Sequence, residues 1–96
     1  MLKYIAELVG TFVFLSIILN SSASGNLAPI AIAVGLLAAI FMVGGISGHF
    51  NPAVSTMMFL KGTLPAQELG AFVAAQLAGA ALALYFNKYM TRGLVQ

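Results

Sequence analysis

The chain has 96 residues, 61% of them hydrophobic and only 6% charged, against roughly a quarter charged in a soluble domain. A soluble domain this small buries only a modest share of its surface, so the composition excludes a soluble globule and requires an integral membrane protein of one domain. The net charge of +2 comes from four scattered basic residues that form no run able to track a phosphate backbone, and nucleic acid is not an expected partner. With no cysteine, one histidine and the two acids Glu7 and Glu68, the chain offers no thiolate chemistry, no metal site and no hydrolytic or redox centre. Neither a cofactor nor catalysis is expected.

Residues 4–20 read as the first spanning helix, preceded by Lys3 and interrupted by Glu7. A secretory signal fits the charged start and the apolar run, but a carboxylate inside that run and two further apolar spans argue against it. The three-and-four spacing puts Glu7, Gly10, Thr11 and Phe14 on one face. Ala6 and Gly10 form a small pair suited to close helix contact in lipid. An acid at this depth must face protein or water. After a small polar loop, residues 27–45 form the second span, with no ionisable group and with Pro29 near its start, where proline is tolerated. Ala31, Gly35 and Ala39 give it a face for close packing.

Residues 46–60 hold the one polar, turn-forming stretch that runs into a proline-started apolar helix. The residue before a proline leaves the helical region, so Asn51 is a natural N-cap with Pro52 at the first helical position. The helix from Pro52 stops near Lys61 and Gly62; about nine residues reach roughly 14 Å, half of a bilayer core of about 30 Å. Irregular backbone before a half-length apolar helix is tolerated in a membrane only where protein or a water-filled cavity satisfies it, so this is a re-entrant segment. A helix lying on the membrane surface is the alternative, but the segment has no charged face. Residues 66–86 are the third span, with Glu68 at its entrance, Gln76 near its middle and a stripe of Ala71, Ala75, Gly79 and Ala83. Tyr85 and Tyr89 suit the headgroup level, Lys88 and Arg92 end the segment in water, and residues 87–96 read as a frayed tail.

Three spans put the termini on opposite sides, with Lys3 and Lys61 on one side and Lys88 and Arg92 on the other. Lysine and arginine excess sets orientation, and a tie predicts insertion both ways up. The half-helix makes a related point, because its tip stops at the bilayer midplane with unpaired N–H groups and a partial positive charge of about +0.5. A second half-helix from the opposite face completes such a span, as in inverted-repeat transporters. One chain holds one copy, so two antiparallel chains are expected to supply both halves.

Three segments now identify a likeness. Ala6-Glu7-Leu8-Val9-Gly10-Thr11-Phe12, Ile46-Ser47-Gly48-His49-Phe50-Asn51-Pro52-Ala53-Val54 and Ala75-Gln76-Leu77-Ala78-Gly79 resemble the N-terminal half of the aquaporin and glycerol-facilitator family. The resemblance implies an all-α membrane fold with three spanning helices and one re-entrant half-helix, forming half of a pore for water or small neutral solutes such as glycerol. It implies that Asn51, in the Asn51-Pro52-Ala53 motif, donates its amide N–H to the permeant, that carbonyls from Ser47, Gly48, His49 and Phe50 line a vestibule, and that Phe50 and Val54 form apolar wall. It also implies that Glu7, with Gln76, braces the re-entrant loop. If the family's tetramer is retained, four inverted dimers make an assembly of eight chains. The chain departs from the family pattern in three places. Gly48 alone stands between Ser47 and His49, where the family has two small residues. Ile32 or Val34 occupies the place of a constricting aromatic, and the arginine that follows the family's second Asn-Pro-Ala has no equivalent, because the one motif here is followed by Val54.

Two other classes remain open on the residues. A small dual-topology exporter has about this length and one acid in its first span, and Glu7 would then exchange protons for a cationic substrate. An accessory subunit that conducts nothing is the other. His49 serves either as a pore-wall donor or as a brace within its loop.

Overall fold

The run from Leu2 meets no proline and no glycine pair, and it forms a single helix, α1 (Leu2–Asn20), whose 19 residues span about 29 Å. The computed structural model describes the backbone of residues 1–95 and the side chains of residues 1–90. Beyond α1 the small polar stretch is not the loop expected from its composition. It is a 3-10 helix over Ser21–Leu27, bent at Gly25 (φ 56, ψ −122). The Ser21 hydroxyl donates to the Ile18 carbonyl at 2.7 Å, prolonging the helical path in the tighter form common at helix ends. The chain therefore runs helically from Leu2 to Val43 through the bend, and α2 (Ala28–Val43) has Pro29 in its first turn.

α2 folds back along α1. Ile17 and Gly35 lie at similar sequence distances from the Gly25 bend, and a Cβ placed on Gly35 would fall 2.6 Å from Ile17 Cγ2. Ala39 is fully buried on the same stripe, so the small residues of α2 are used for contact with α1. After an irregular stretch comes α3 (Pro52–Lys61), ten residues long and about 15 Å in length. It ends at Gly62, whose φ of 94° lets its N–H reach the carbonyls of Met58 and Phe59.

The last helix, α4 (Ala66–Val95), has 30 residues. It passes the expected end at residue 86, so residues 87–95 are helix and not a frayed tail. Asn87 helps by donating to the Ala83 carbonyl at 2.7 Å; the Arg92 side chain, expected in water, lies outside the described residues. α4 runs parallel to α1. Lys3 pairs with Glu68, Tyr4 meets Phe72 edge to face, Glu7 meets Gln76, and Ser16 and Asn20 meet Asn87, in the same order along both helices. Gly79 permits the contact, because a Cβ there would sit 2.6 Å from the Leu8 carbonyl oxygen.

The result is inverted relative to a water-soluble bundle. The largest fully buried side chains are Gln76, Glu7, Thr11 and Ser55, while Ile30, Val34, Leu37, Phe41 and Leu77 are exposed. Polar groups inside and apolar groups outside are what lipid selects, since hydrocarbon solvates the exterior but leaves every interior polar atom to find protein partners. Two helical runs, Leu2–Val43 and Ala66–Met90, are long and apolar enough to cross a membrane. The longest dimension, 47 Å, is close to a whole bilayer with its headgroups.

Candidate functional site

Asn51 opens the site. Its backbone is extended (φ −156, ψ 126), and its Oδ1 accepts the Ala53 N–H at 2.8 Å. This caps α3 in the way the asparagine and proline pair requires. Immediately before it, Phe50 has φ 56°, a left-handed conformation that costs an L-residue roughly 1–2 kcal/mol. Two contacts offset that cost. The Phe50 N–H donates to Glu7 Oε1 at 2.7 Å, and the ring, 3% exposed, lies in the notch left by Gly10, where a Cβ would fall 2.0 Å from Phe50 Cε1. Gly10 stands midway along α1. The tip of α3 is therefore held at the middle of the bundle's long helices.

Glu7 is the anchor of this arrangement. It is 0% exposed, and four groups donate to its carboxylate. Phe50 N and Gln76 Nε2 reach Oε1 at 2.7 and 2.9 Å, while His49 N reaches Oε2 at 2.9 Å and the Ser47 hydroxyl also donates to Oε2. Three of the four are N–H groups, which can only donate, so both oxygens act as acceptors. A loop with no regular structure of its own must have its buried N–H groups satisfied by side chains, and Glu7 does this for two successive residues. Gln76 uses its second N–H on Ser55 Oγ at 2.8 Å, and His49 Nδ1 lies 2.9 Å from the same oxygen. The His49 ring packs against Phe72 at 4.9 Å between centroids. One network thus joins α1, the loop, α3 and α4.

Of the residues singled out from the sequence, Glu7, Gln76, Ser47, His49, Phe50 and Asn51 come together here. Gly48, Pro52 and Ala53 lie exposed beside them, and Val54 is half-buried in the first turn of α3. Ile32 and Val34 sit on α2, half-buried and exposed, and neither borders the cavity at Asn51. That cavity, of about 330 Å³, lies between α1 and α4 and is bordered by Thr11, Phe50, Asn51, Pro52 and Gln76 among others. Among the described residues, no three His, Cys, Asp or Glu side chains are grouped to hold a metal.

Sequence reasoning missed Ser55 and Phe72. The signal for Ser55 was present, a hydroxyl one helical turn after Asn51 in a largely apolar helix; Phe72 carried none. It also missed a second polar cluster at the other end of α1 and α4. There Asn20 Nδ2 donates to Asn87 Oδ1 at 2.8 Å, and Asn87 Nδ2 donates to Ser16 Oγ at 3.0 Å.

Compared with known proteins, the chain is similar over its whole length to one described family. It is 41% identical to glycerol uptake facilitator protein-like 6 of Lactiplantibacillus plantarum, over 86% of this chain and 41% of that protein. It is 38% identical to aquaporin NIP1-1 of Zea mays, over 84% of this chain and 32% of that protein. It is 37% identical to aquaporin-10 of Milnesium tardigradum, over 78% of this chain and 21% of that protein. The chain thus spans about two fifths or less of the length of these relatives. No solved structure matches it. The major intrinsic protein family matches residues 1–96, and the polar network around Glu7 and Asn51 belongs to a chain of that family.

Proposed function

We propose that this chain is one half of a passive membrane channel for water and small neutral solutes such as glycerol, completed by a second copy in inverted orientation. On this reading α1, α2 and α4 span the bilayer, and the loop with α3 re-enters from the side that holds Lys3 and Lys61. The observation that carries it is the tip of α3, held at mid-length of the bundle with Asn51 exposed at its end. An amide donor at the tip of a helix dipole orients a permeant oxygen and repels cations. Among the described residues the Asn51 side-chain nitrogen has no partner, so its N–H groups remain for a permeant. The names of the relatives support the solute class. Four inverted pairs, eight chains, would keep the family's tetramer, and the equal division of basic residues between the two ends supports insertion both ways up.

The exporter reading loses its main residue, because Glu7 is enclosed by four donors and shows no face to a substrate. The experiment is osmotic swelling of proteoliposomes, with water and then glycerol as permeant. Asn51→Asp retains the acceptor that caps α3 but removes the N–H donor, and it is expected to abolish flow while the chain stays folded. A C-terminal tag should be protease-accessible on about half of the inserted copies, as a tie in basic residues implies. Flow no faster than in empty vesicles leaves the accessory-subunit reading standing instead.

A further inference from the structure

At the end of the bundle where α1 and α4 both begin, three pairs of side chains tie the two helices together. Lys3 pairs with Glu68, the Tyr4 ring meets the Phe72 ring edge to face at 5.7 Å between centroids, and Glu7 meets Gln76. Glu68, Phe72 and Gln76 follow one another at four-residue spacing, so the pairs are rungs on one seam. The outer rung is ionic and lies partly in solvent, its side chains 41% and 25% exposed. Both helices point the positive ends of their dipoles this way, which disfavours a cation in the first turn of α1. Glu68, in the first turn of α4, is what holds Lys3 there. The middle rung rests on ring contact alone, with no side-chain hydrogen bond among the described residues, so its neighbours set its position. Lys3 Nζ lies 5.7 Å from the centre of the Tyr4 ring, a cation–π distance. Phe72, 3% exposed, carries the His49 ring against it at 4.9 Å.

We propose that Phe72 is a positioning residue for the loop that carries Asn51, and that the Lys3–Glu68 pair holds the loop through it. A close-packed interior passes displacement on. With Glu68 neutral, Lys3 leaves the Tyr4 ring for the headgroups, Tyr4 and Phe72 lose one wall, and the His49 ring loses the surface it rests on. His49 joins the network at two further points, its backbone N–H on Glu7 Oε2 and its Nδ1 beside Ser55 Oγ, each at 2.9 Å. A freed ring therefore pulls on the segment that leads into Asn51. The same arrangement makes the loop sensitive to ionic strength at this end of the bundle. Surface charges are screened beyond about 10 Å at about 0.1 M salt and beyond about 3 Å at about 1 M, so strong salt should do what removing either charge does. The consequence for permeation rests on the half-channel reading; the hold on the loop does not.

Amide hydrogen exchange in nanodiscs is the test. Lys3→Met and Glu68→Gln keep the length of each side chain and remove its charge. Each should speed exchange at His49 and Phe50 about two- to fivefold, the range an exposed ion pair supplies, and leave the amides around Asn87 at the far end of α4 unchanged. Together they should do no more than either alone, because both remove one interaction. In a Phe72→Leu background neither should add anything, a result that a pair stiffening the bundle as a whole would not give. Lys3→Glu combined with Glu68→Lys rebuilds the pair between two equivalent helix starts and should return exchange to the wild-type rate; this arm leaves Phe72 in place and so stands if Phe72→Leu fails to fold. Raising salt from about 0.1 M to about 1 M should speed the same amides in the wild type and not in Glu68→Gln. Unchanged exchange at His49 and Phe50 in the charge variants, equal acceleration at both ends of α4, no recovery on charge reversal, or the full effect persisting beside Phe72→Leu overturns the proposal. The exchange pattern decides this inference whether or not vesicles carrying the chain swell, and swelling alone decides the channel reading.

Discussion

Replacing Glu7 by glutamine keeps the shape of the side chain and converts one acceptor oxygen into a donor. If the new nitrogen takes the Oε1 position, it faces the N–H groups of Phe50 and Gln76, 2.7 and 2.9 Å from that site. If it takes the Oε2 position, it faces the His49 N–H and the Ser47 hydroxyl. The second is cheaper, because a hydroxyl can rotate and accept, leaving only the His49 N–H without an acceptor. A buried donor in that state costs about 1–3 kcal/mol, so the loop should be destabilised by roughly 2 kcal/mol, a factor of about 30 in its opening equilibrium. Amide hydrogen exchange in nanodiscs reads this directly, since exchange from a locally opened segment follows its own opening free energy. The amides of His49 and Phe50 should exchange about 30-fold faster, and those of α4 between Gln76 and Ala83 should not change. Unaltered exchange at His49 and Phe50 would refute the claim that Glu7 holds the loop. Equal acceleration through α1 and α4 would also refute it, by showing that Glu7 stabilises the bundle as a whole.

Gly79→Ala should force α1 and α4 apart, since its Cβ meets the Leu8 carbonyl oxygen at 2.6 Å; overpacking of this kind costs about 1–3 kcal/mol, seen as a lower melting temperature in detergent. Gly70→Ala, with open space around it, should instead hold or raise stability by up to about 1 kcal/mol, the difference in helix propensity. Asn87→Leu removes both hydrogen bonds between Asn87 and α1. It should lower stability by about 1 kcal/mol in total, at roughly 0.6 kcal/mol per interhelical bond, with no change in hydrogen exchange at His49 and Phe50.

What the residues alone determined were the properties that act over a turn of helix or over the whole composition. Scarce charge pointed to lipid, Asn51 and Pro52 started a helix, Gly62 ended it, and its ten residues reach about half the thickness of a bilayer core. Capping and proline sterics act between residues a few positions apart, so they can be read without knowing the fold. The same local view misjudged residues 21–27 and 87–95, where small polar or charged side chains looked like loop and tail. The structure makes both segments helical instead, and each begins with a side chain that bonds back to the preceding turn, Ser21 to Ile18 and Asn87 to Ala83. Only the tertiary structure decided what Glu7 does. Residues 7, 47 to 50, 55 and 76 converge because α4 lies parallel to α1 in one register, which the close approach at Gly79 and the Phe50 ring in the Gly10 notch select. That register depends on shape matching between surfaces distant in the chain; no local spacing along the chain encodes it.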